Sequence, residues 1–259
     1  MPLSPHLDFL TKFARNHFSG DPSYDGMLQL KLEHTLCVFE NAQKILQNES
    51  LSGTTAELAT LAALYHDIGR FPQFAEYGTF NDRTSVNHGR LGVLTLRKLN
   101  MPGNLSATDW RLIRLAIGQH NIRDLSPTLP EPVATITKLV RDADKIDIFR
   151  IMSEHFSSDT SDPAITHGFK DIPDQYSDTI YKSVMAQKNG DYGDIQCAND
   201  FKLLIIGWVF DLNFRTSFSL LEKRGLIKRI FSLLPKDVKI QDLEKKVNKF
   251  IRYNKNSPS

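Results

Sequence analysis

Apolar residues recur along most of this chain at the three-to-four-residue spacing of helices, and nowhere with the strict alternation of a half-buried strand. From Gly26 to about Gln47, Leu32, Leu36, Phe39 and Leu46 form one stripe, and Cys37, Val38 and Ile45 form another. A helix apolar on two sides belongs in the middle of a bundle. His34 shares the second stripe with Asn41 and Ile45. Thr54 to Asp67 is rich in alanine and leucine, good helix formers, and Gly69 and Pro72 are expected to terminate it. Glu76 to Val86 carries turn chemistry. Ser85 is the expected N-cap of a helix running to about Leu99, with His88 in its first turn. After a loop over Asn100 to Ser106, a further helix places Ile113, Ala116, Ile117 and His120 on one face. Pro127, Pro130 and Pro132 mark another loop, and a long helix then spans about Val133 to Phe156, carrying Asp142, Asp144 and Asp147.

Ser157 to Gln175 is polar and broken by Pro163, Gly168 and Pro173, the pattern of a mobile loop. Three or four more helices follow. In the stretch Phe201 to Leu221, the residues Phe201, Leu204, Ile205, Trp208 and Leu212 have the spacing of core packing. The basic end from Lys236 to Lys255 reads as a solvated helix face. The pattern predicts an all-α protein: an N-terminal helix over 1–25, a helical core over 26–156, a mobile loop over 157–175, and a C-terminal helical extension of the same domain over 176–259.

Composition narrows the function classes. A chain of 259 residues supports one substantial core, alone or with an appended subdomain. Its formal net charge of +2 gives no electrostatic argument for nucleic acid. The N-terminal MPLSPHLDFL lacks the basic start and long apolar run of a signal peptide. The longest apolar stretch, Leu203 to Phe210, is short and contains Gly207, so no membrane association is expected. Two cysteines, Cys37 and Cys197, form no disulfide framework and no CxxC signature, which fits a reducing, cytoplasmic setting. The oligomeric state is left open.

Four histidines and two aspartates change the picture: His34, the adjacent pair His66-Asp67, His88, His120 and Asp144. Neutral imidazole and ionised carboxylate suit divalent transition metals, and such an ion activates water for hydrolysis. Six candidates exceed what one tetrahedral ion requires, so the expectation is one ion or two. His34 precedes His66 by thirty-two residues, and His88 precedes His120 by the same distance. Short loops make successive helices antiparallel neighbours, so ligands at this spacing can gather at one depth of a bundle. Adjacent helical residues diverge by about 100°; His66 and Asp67 therefore reach one ion only near a helix end, where Gly69 opens the chain. Any one of these histidines alone reads as ordinary packing. Their joint occurrence carries the metal reading. Periodicity does not choose between Asp142 and Asp144.

These residues resemble the HD-domain metal-dependent phosphohydrolases. That family's histidine, His-Asp pair and later aspartate correspond to Glu33-His34-Thr35, to LYHDIGRF around His66-Asp67, and to RDADKIDIF around Asp144. The similarity covers about Gly26 to Phe156. It implies an HD-domain helical bundle with additional C-terminal helices, in which His34, His66, Asp67 and Asp144 hold the ion; the family's Ala-Asp-(Lys/Arg) pattern selects Asp144, with Asp142 second. His88 and His120 resemble the extra histidines of the dinuclear branch that includes cyclic-nucleotide phosphodiesterases and HD-GYP proteins. Departures from HD-GYP proteins are plain: His120-Asn121 stands for a His-His pair, Arg70 for a lysine, and the GYP tripeptide is absent.

The resemblance implies hydrolysis of a phosphate mono- or diester, with nucleotides as the substrate class. Asp67 would bridge two ions or bind one. Arg70 and Lys145, each beside a ligand, are expected to hold phosphate oxygens. Histidine-rich ligation favours Mn, Fe, Co, Ni or Zn over Mg. Asn81, Asp82 and Arg83 are expected to line the mouth of the site, and His155 and His167 to lie on the surface. Two alternatives are di-iron oxygenase chemistry, which would need iron and dioxygen, and a non-catalytic nucleotide-binding or regulatory module, which the full set of ligand positions disfavours.

Overall fold

The computed structural model describes residues 2–156, 169 and 172–257, and among these the backbone forms helices and no strand. The all-α expectation holds. Most of the expected mobile loop over 157–175 lies outside the described residues, and so does His167. The chain divides into two units, Met1–Asp144 and Lys145–Ser259, with the boundary inside one long helix.

In the first unit α1 is Ser4–Arg15, α2 Pro22–Asn48, α3 Gly53–Tyr65, α4 Arg70–Tyr77, α5 His88–Lys98 and α6 Ala107–Gln119, and α7 begins at Val133. The α2 helix starts earlier than its apolar stripes because Asp21 caps it, accepting from the Tyr24 N–H at 2.8 Å, with Pro22 at the first helical position. Leu32, Val38, Phe39, Ile45 and Leu46 of α2 are buried and Leu36 and Cys37 half-buried, so the two-sided stripe lies mostly inside the bundle. The α3 helix is apolar all round, as expected for a central element. It packs on α1, α2 and α6, and every residue from Leu58 to Tyr65 is buried. Burial of each such Leu or Ile side chain contributes roughly 1.5–3 kcal/mol.

Two local expectations need correction. Pro72 does not simply stop a helix; it sits in the first turn of α4, where a missing N–H costs no intrahelical bond. Eight residues are too few for α4 to show a stripe, so the periodicity hid it. The N-cap of α5 is Asn87, whose side chain accepts from the Arg90 N–H at 2.8 Å. Ser85 instead donates to the Asn81 carbonyl at 2.7 Å, closing a turn ahead of the cap.

The second unit continues α7 to His155 and adds α8 (Asp178–Met185), α9 (Ala198–Gly207), α10 (Arg215–Arg224), α11 (Leu226–Ser232) and α12 (Val238–Asn256). The stretch Phe201 to Leu221 is not continuous: after Gly207 a 3₁₀ turn, Trp208–Asp211, leads to extended backbone at Leu212 and Phe214. Gly207 lies against α8, where an added Cβ would come 3.3 Å from Val184. On α12 the buried residues are Ile240, Leu243, Val247 and Ile251, and its basic residues occupy the rest of the helix surface. His155 is half-buried against the Phe156 ring rather than on the surface, because it closes a helix whose preceding turn is packed. No helix among the described residues is long and apolar enough to cross a membrane.

One backbone approach positions the rest of the first unit. A Cβ on Gly69 would lie 2.3 Å from the His88 carbonyl and 2.5 Å from the Gly92 nitrogen, both backbone atoms that cannot swing away. Gly69→Ala should therefore destabilise the protein by about 1–3 kcal/mol or more through overpacking, read as a lower denaturant midpoint. Gly26→Ala, inside α2 with nothing within 4 Å of the added carbon, should be neutral or stabilising by up to about 1 kcal/mol. Equal midpoints for the two variants would show that the close approach imposes no constraint.

Candidate metal centre

Five elements of the first unit converge on one buried point. His34 comes from the middle of α2, His66 and Asp67 from the tight turn that follows α3, His88 from the first position of α5, His120 from the C-cap of α6, and Asp144 from α7. Two side chains fix the long elements around it. Asn41, two turns beyond His34, donates to the Ala143 carbonyl at 3.2 Å and ties α2 to α7. Arg141 donates to the carbonyls of His120, the C-cap of α6, and of Ile122 and Arg123 just beyond it.

The Asp67 carboxylate is the middle of the cluster. Its Oδ2 lies 3.8 Å from His34 Nε2 and 3.8 Å from His66 Nε2, while its Oδ1 lies 3.4 Å from His88 Nε2 and 4.0 Å from His120 Nε2. Asp144 Oδ1 is 3.1 Å from His34 Nε2 and 3.8 Å from His66 Nε2. Ligand atoms fall within 4.8 Å of one another in two sets, His34–His66–Asp144 and His66–Asp67–His120. His66 belongs to both sets; its contacts with Asp144 and Asp67 Oδ2 place it beside His34.

Three rings are oriented by their other nitrogen. Nδ1 of His66 faces the Ala63 carbonyl at 2.8 Å, Nδ1 of His120 faces the Ile117 carbonyl at 2.6 Å, and Nδ1 of His88 faces Asp82 Oδ2 at 2.7 Å. Each Nδ1 can satisfy these acceptors only as N–H, which leaves the inward Nε2 as a lone pair, the form a metal requires. His88 Nε2 and His120 Nε2 then face each other at 3.1 Å as two acceptors with no proton between them, and His66 Nε2 is buried with no hydrogen-bond partner. A cation satisfies all three. The donor set fits a divalent metal.

Burial sets the protonation states. It lowers the pKa of His66 and pushes those of His88 and His120 down to about 4, with Arg70 adding to the effect at His88 and His66 at His120. Burial would raise the two carboxyls, but hydrogen bonding from His34 holds Asp144 below its ordinary range, and His66, Lys31 and Arg70 do the same for Asp67. At neutral pH His66, His88 and His120 are neutral and Asp67 and Asp144 ionised, the states in which these groups ligate.

All six residues named from the sequence are thus brought together. Asp142, the second choice on α7, is fully buried. Arg70 lies beside Asp67, with Nε 3.5 Å from Oδ1, and its Nη1 donates to Asp82 Oδ1 at 2.9 Å, Gln73 Oε1 at 3.0 Å and the Phe80 carbonyl. Lys145 pairs with Asp211. Of the three residues expected at the mouth, Asp82 is tied to the site through both His88 and Arg70, whereas Asn81 and Arg83 shape the turn that presents it. Sequence reasoning missed Lys31, whose Nζ is 3.7 Å from Asp67 Oδ2 and 5.2 Å from the centre of the Phe80 ring. Its position three residues before His34, on the same helix face, was a usable signal. It also missed Gln73, fully buried and donating to Asp82, Ser85 and the Val86 carbonyl, for which no sequence pattern existed.

Asp82 is the residue on which His88 and Arg70 both depend. Asp82→Ala should weaken divalent-metal binding about 10–100-fold, the usual effect of removing such an outer partner, and Asp82→Asn, which keeps an acceptor for the His88 ring, should be milder. Calorimetric titration of the metal-free protein with Mn²⁺ or Co²⁺ measures this. Unchanged affinity in the alanine variant would mean that the ring is held by something else.

Neither a curated protein nor a solved structure gives a significant match to the chain. The family described as HD domain does, over residues 32–151. That span opens two residues before His34, closes seven after Asp144, and includes every ligand candidate. HD domains bind divalent metals, in keeping with the His/Asp sets of the cluster. With this match and the helical fold, residues 32–151 correspond to the HD domain of the metal-dependent phosphohydrolase superfamily.

Proposed function

We propose that this protein hydrolyses a phosphate mono- or diester, of a nucleotide, using two divalent transition-metal ions. The observation that carries the reading is the division of Asp67, with one oxygen toward His34 and His66 and the other toward His88 and His120. A carboxylate has two oxygens with which to bridge; an imidazole ring does not. His34, His66 and Asp144 would hold one ion, His88 and His120 the other, and Asp67 both. The nitrogen-rich donor set favours Mn, Fe, Co, Ni or Zn over Mg. When bound, such ions polarise phosphoryl oxygens and lower the pKa of water, which supplies a nucleophile at neutral pH.

The chain's own cations then serve the substrate. Arg70 and Lys31 flank Asp67, one toward each carboxylate oxygen. Arg70 is anchored through Nη1, and its buried Nε has no hydrogen-bond partner, so the guanidinium is oriented before substrate arrives and keeps a donor for a phosphoryl oxygen. Lys31 gives a second positive charge on the other side. Since the charge of Lys145 is met by Asp211, we assign to Lys31 the phosphate role that the sequence suggested for Lys145.

Metal analysis together with a screen of phosphomonoesters, cyclic nucleotides and dinucleotides tests the proposal. Wild type should hold about two ions, and His120→Ala about one. His66→Ala or Asp67→Ala should lose both metal and turnover while the helical circular dichroism persists. Hydrolysis should continue without oxygen when manganese is supplied. A metal-saturated wild type with a single ion defeats the dinuclear reading, and full turnover by Asp67→Ala defeats the whole assignment.

Arg70→Ala separates substrate binding from metal binding. Loss of one charge-assisted hydrogen bond, roughly 1.5–3 kcal/mol, should lower kcat/KM by about tenfold to a hundredfold with metal content unchanged. Wild-type kinetics on a verified substrate would remove Arg70 from the mechanism.

A further inference from the structure

The ends of α5 and α6 remote from the histidines, with the loop between them, line an open cleft of about 430 Å³, within the size range of small-molecule sites. Leu96, Leu99 and Met101 give it an apolar side, Trp110 contributes an indole, and Arg97 and Arg114 contribute two guanidinium groups. No acidic residue lines it among the described residues. Neither arginine side chain has a hydrogen bond or ion pair among them, whereas Arg70, Arg141 and Arg150 are each held by several oxygens. Burial, and then the neighbouring charge of Arg97, lower the pKa of Arg114, so the two like charges are close enough to repel. Trp110 packs near the rings of His6 and Tyr65, whose centres lie 6.3 and 6.1 Å away.

Two guanidinium groups lining one cleft without an acidic neighbour, Arg97 exposed and Arg114 half-buried, suit an anion, and phosphate above all, because their planar donor forks match its oxygens. The indole and the aliphatic side chains call for a flat, apolar body attached to that anion. We propose that this cleft is a second binding site, for a small molecule that joins a phosphate to a planar ring system, with a nucleoside monophosphate as the simplest case. It is separate from the metal centre. Arg97 is nine residues beyond His88 on α5, about 13 Å along the axis at 1.5 Å per residue, and Trp110 is ten residues before His120 on α6, about 15 Å.

The test uses the full chain carrying Trp208→Phe, which leaves Trp110 as the only tryptophan. The probe is the methylenephosphonate analogue of adenosine monophosphate, which resists hydrolysis, with adenosine and inorganic phosphate as partial probes. The analogue should quench Trp110 fluorescence saturably and more tightly than either fragment. Arg97→Gln combined with Arg114→Gln should weaken it roughly tenfold or more, with helical circular dichroism and metal content unchanged. Asp67→Ala should leave this affinity unaltered, so the outcome does not depend on the proposed reaction. Absence of saturable quenching, equal affinity in the double variant, or phosphate alone binding as tightly as the analogue overturns the proposal. Loss of the signal in Asp67→Ala also overturns it, because the ligand would then be at the metal centre.

Discussion

The constraint on which this site depends is the contact of the Gly69 turn with the backbone of α5. His66 and Asp67 leave the chain just before Gly69, and His88 opens α5. The two segments share a metal-sized space only if their backbones touch, and an added carbon at Gly69 would overlap the His88 carbonyl and the Gly92 amide. Gly89 repeats the device on the next interface, where a Cβ would come 2.8 Å from Asn121 Oδ1 and 3.1 Å from the Ile117 carbonyl. Side-chain volume is removed at both places so that imidazole rings, rather than aliphatic groups, fill the gap between helices.

Electrostatics sharpens what such a site can accept. Asp67, Asp82 and Asp144 bring three negative charges, and Lys31 and Arg70 bring two positive ones, so the protein groups alone sum to about one negative charge. The neutral histidines add nothing to this balance. Divalent ions in the proposed positions reverse its sign, and in a buried setting such an excess is costly until an anion offsets it. The proposed phosphate ester would meet that requirement. The same balance explains why Arg70 is tied to Asp82 as well as to Asp67: a cation beside a metal centre needs its own counter-charge.

Much of the fold was legible because long amphipathic helices advertise themselves. The stripes of α2, the alanine- and leucine-rich α3 and the face of α6 are repeated often enough for a period to stand out. The α4 helix and the true cap of α5 were not, since eight residues carry no period and both Ser85 and Asn87 are residue types that cap. The six metal-ligand candidates could be named because histidine and aspartate on apolar helix faces are chemically conspicuous. Their partners were hidden for a physical reason. Gln73, Asp82 and Arg141 act through hydrogen bonds to loop carbonyls, a ring nitrogen or a helix end, and such bonds leave no repeat in the sequence.

The clamp of Arg141 on the end of α6 has a mechanical consequence. Arg141 and Asp144 are three residues apart on α7 and therefore share a face of that helix. One reaches the carbonyl of His120, and the other faces His34 and His66. A twist or slide of α7 carries Asp144 with it directly and pulls on His120 through the guanidinium. Ligand positions on opposite sides of Asp67 are thereby tied to one helix, so a displacement of α7 acts on both rather than on one alone.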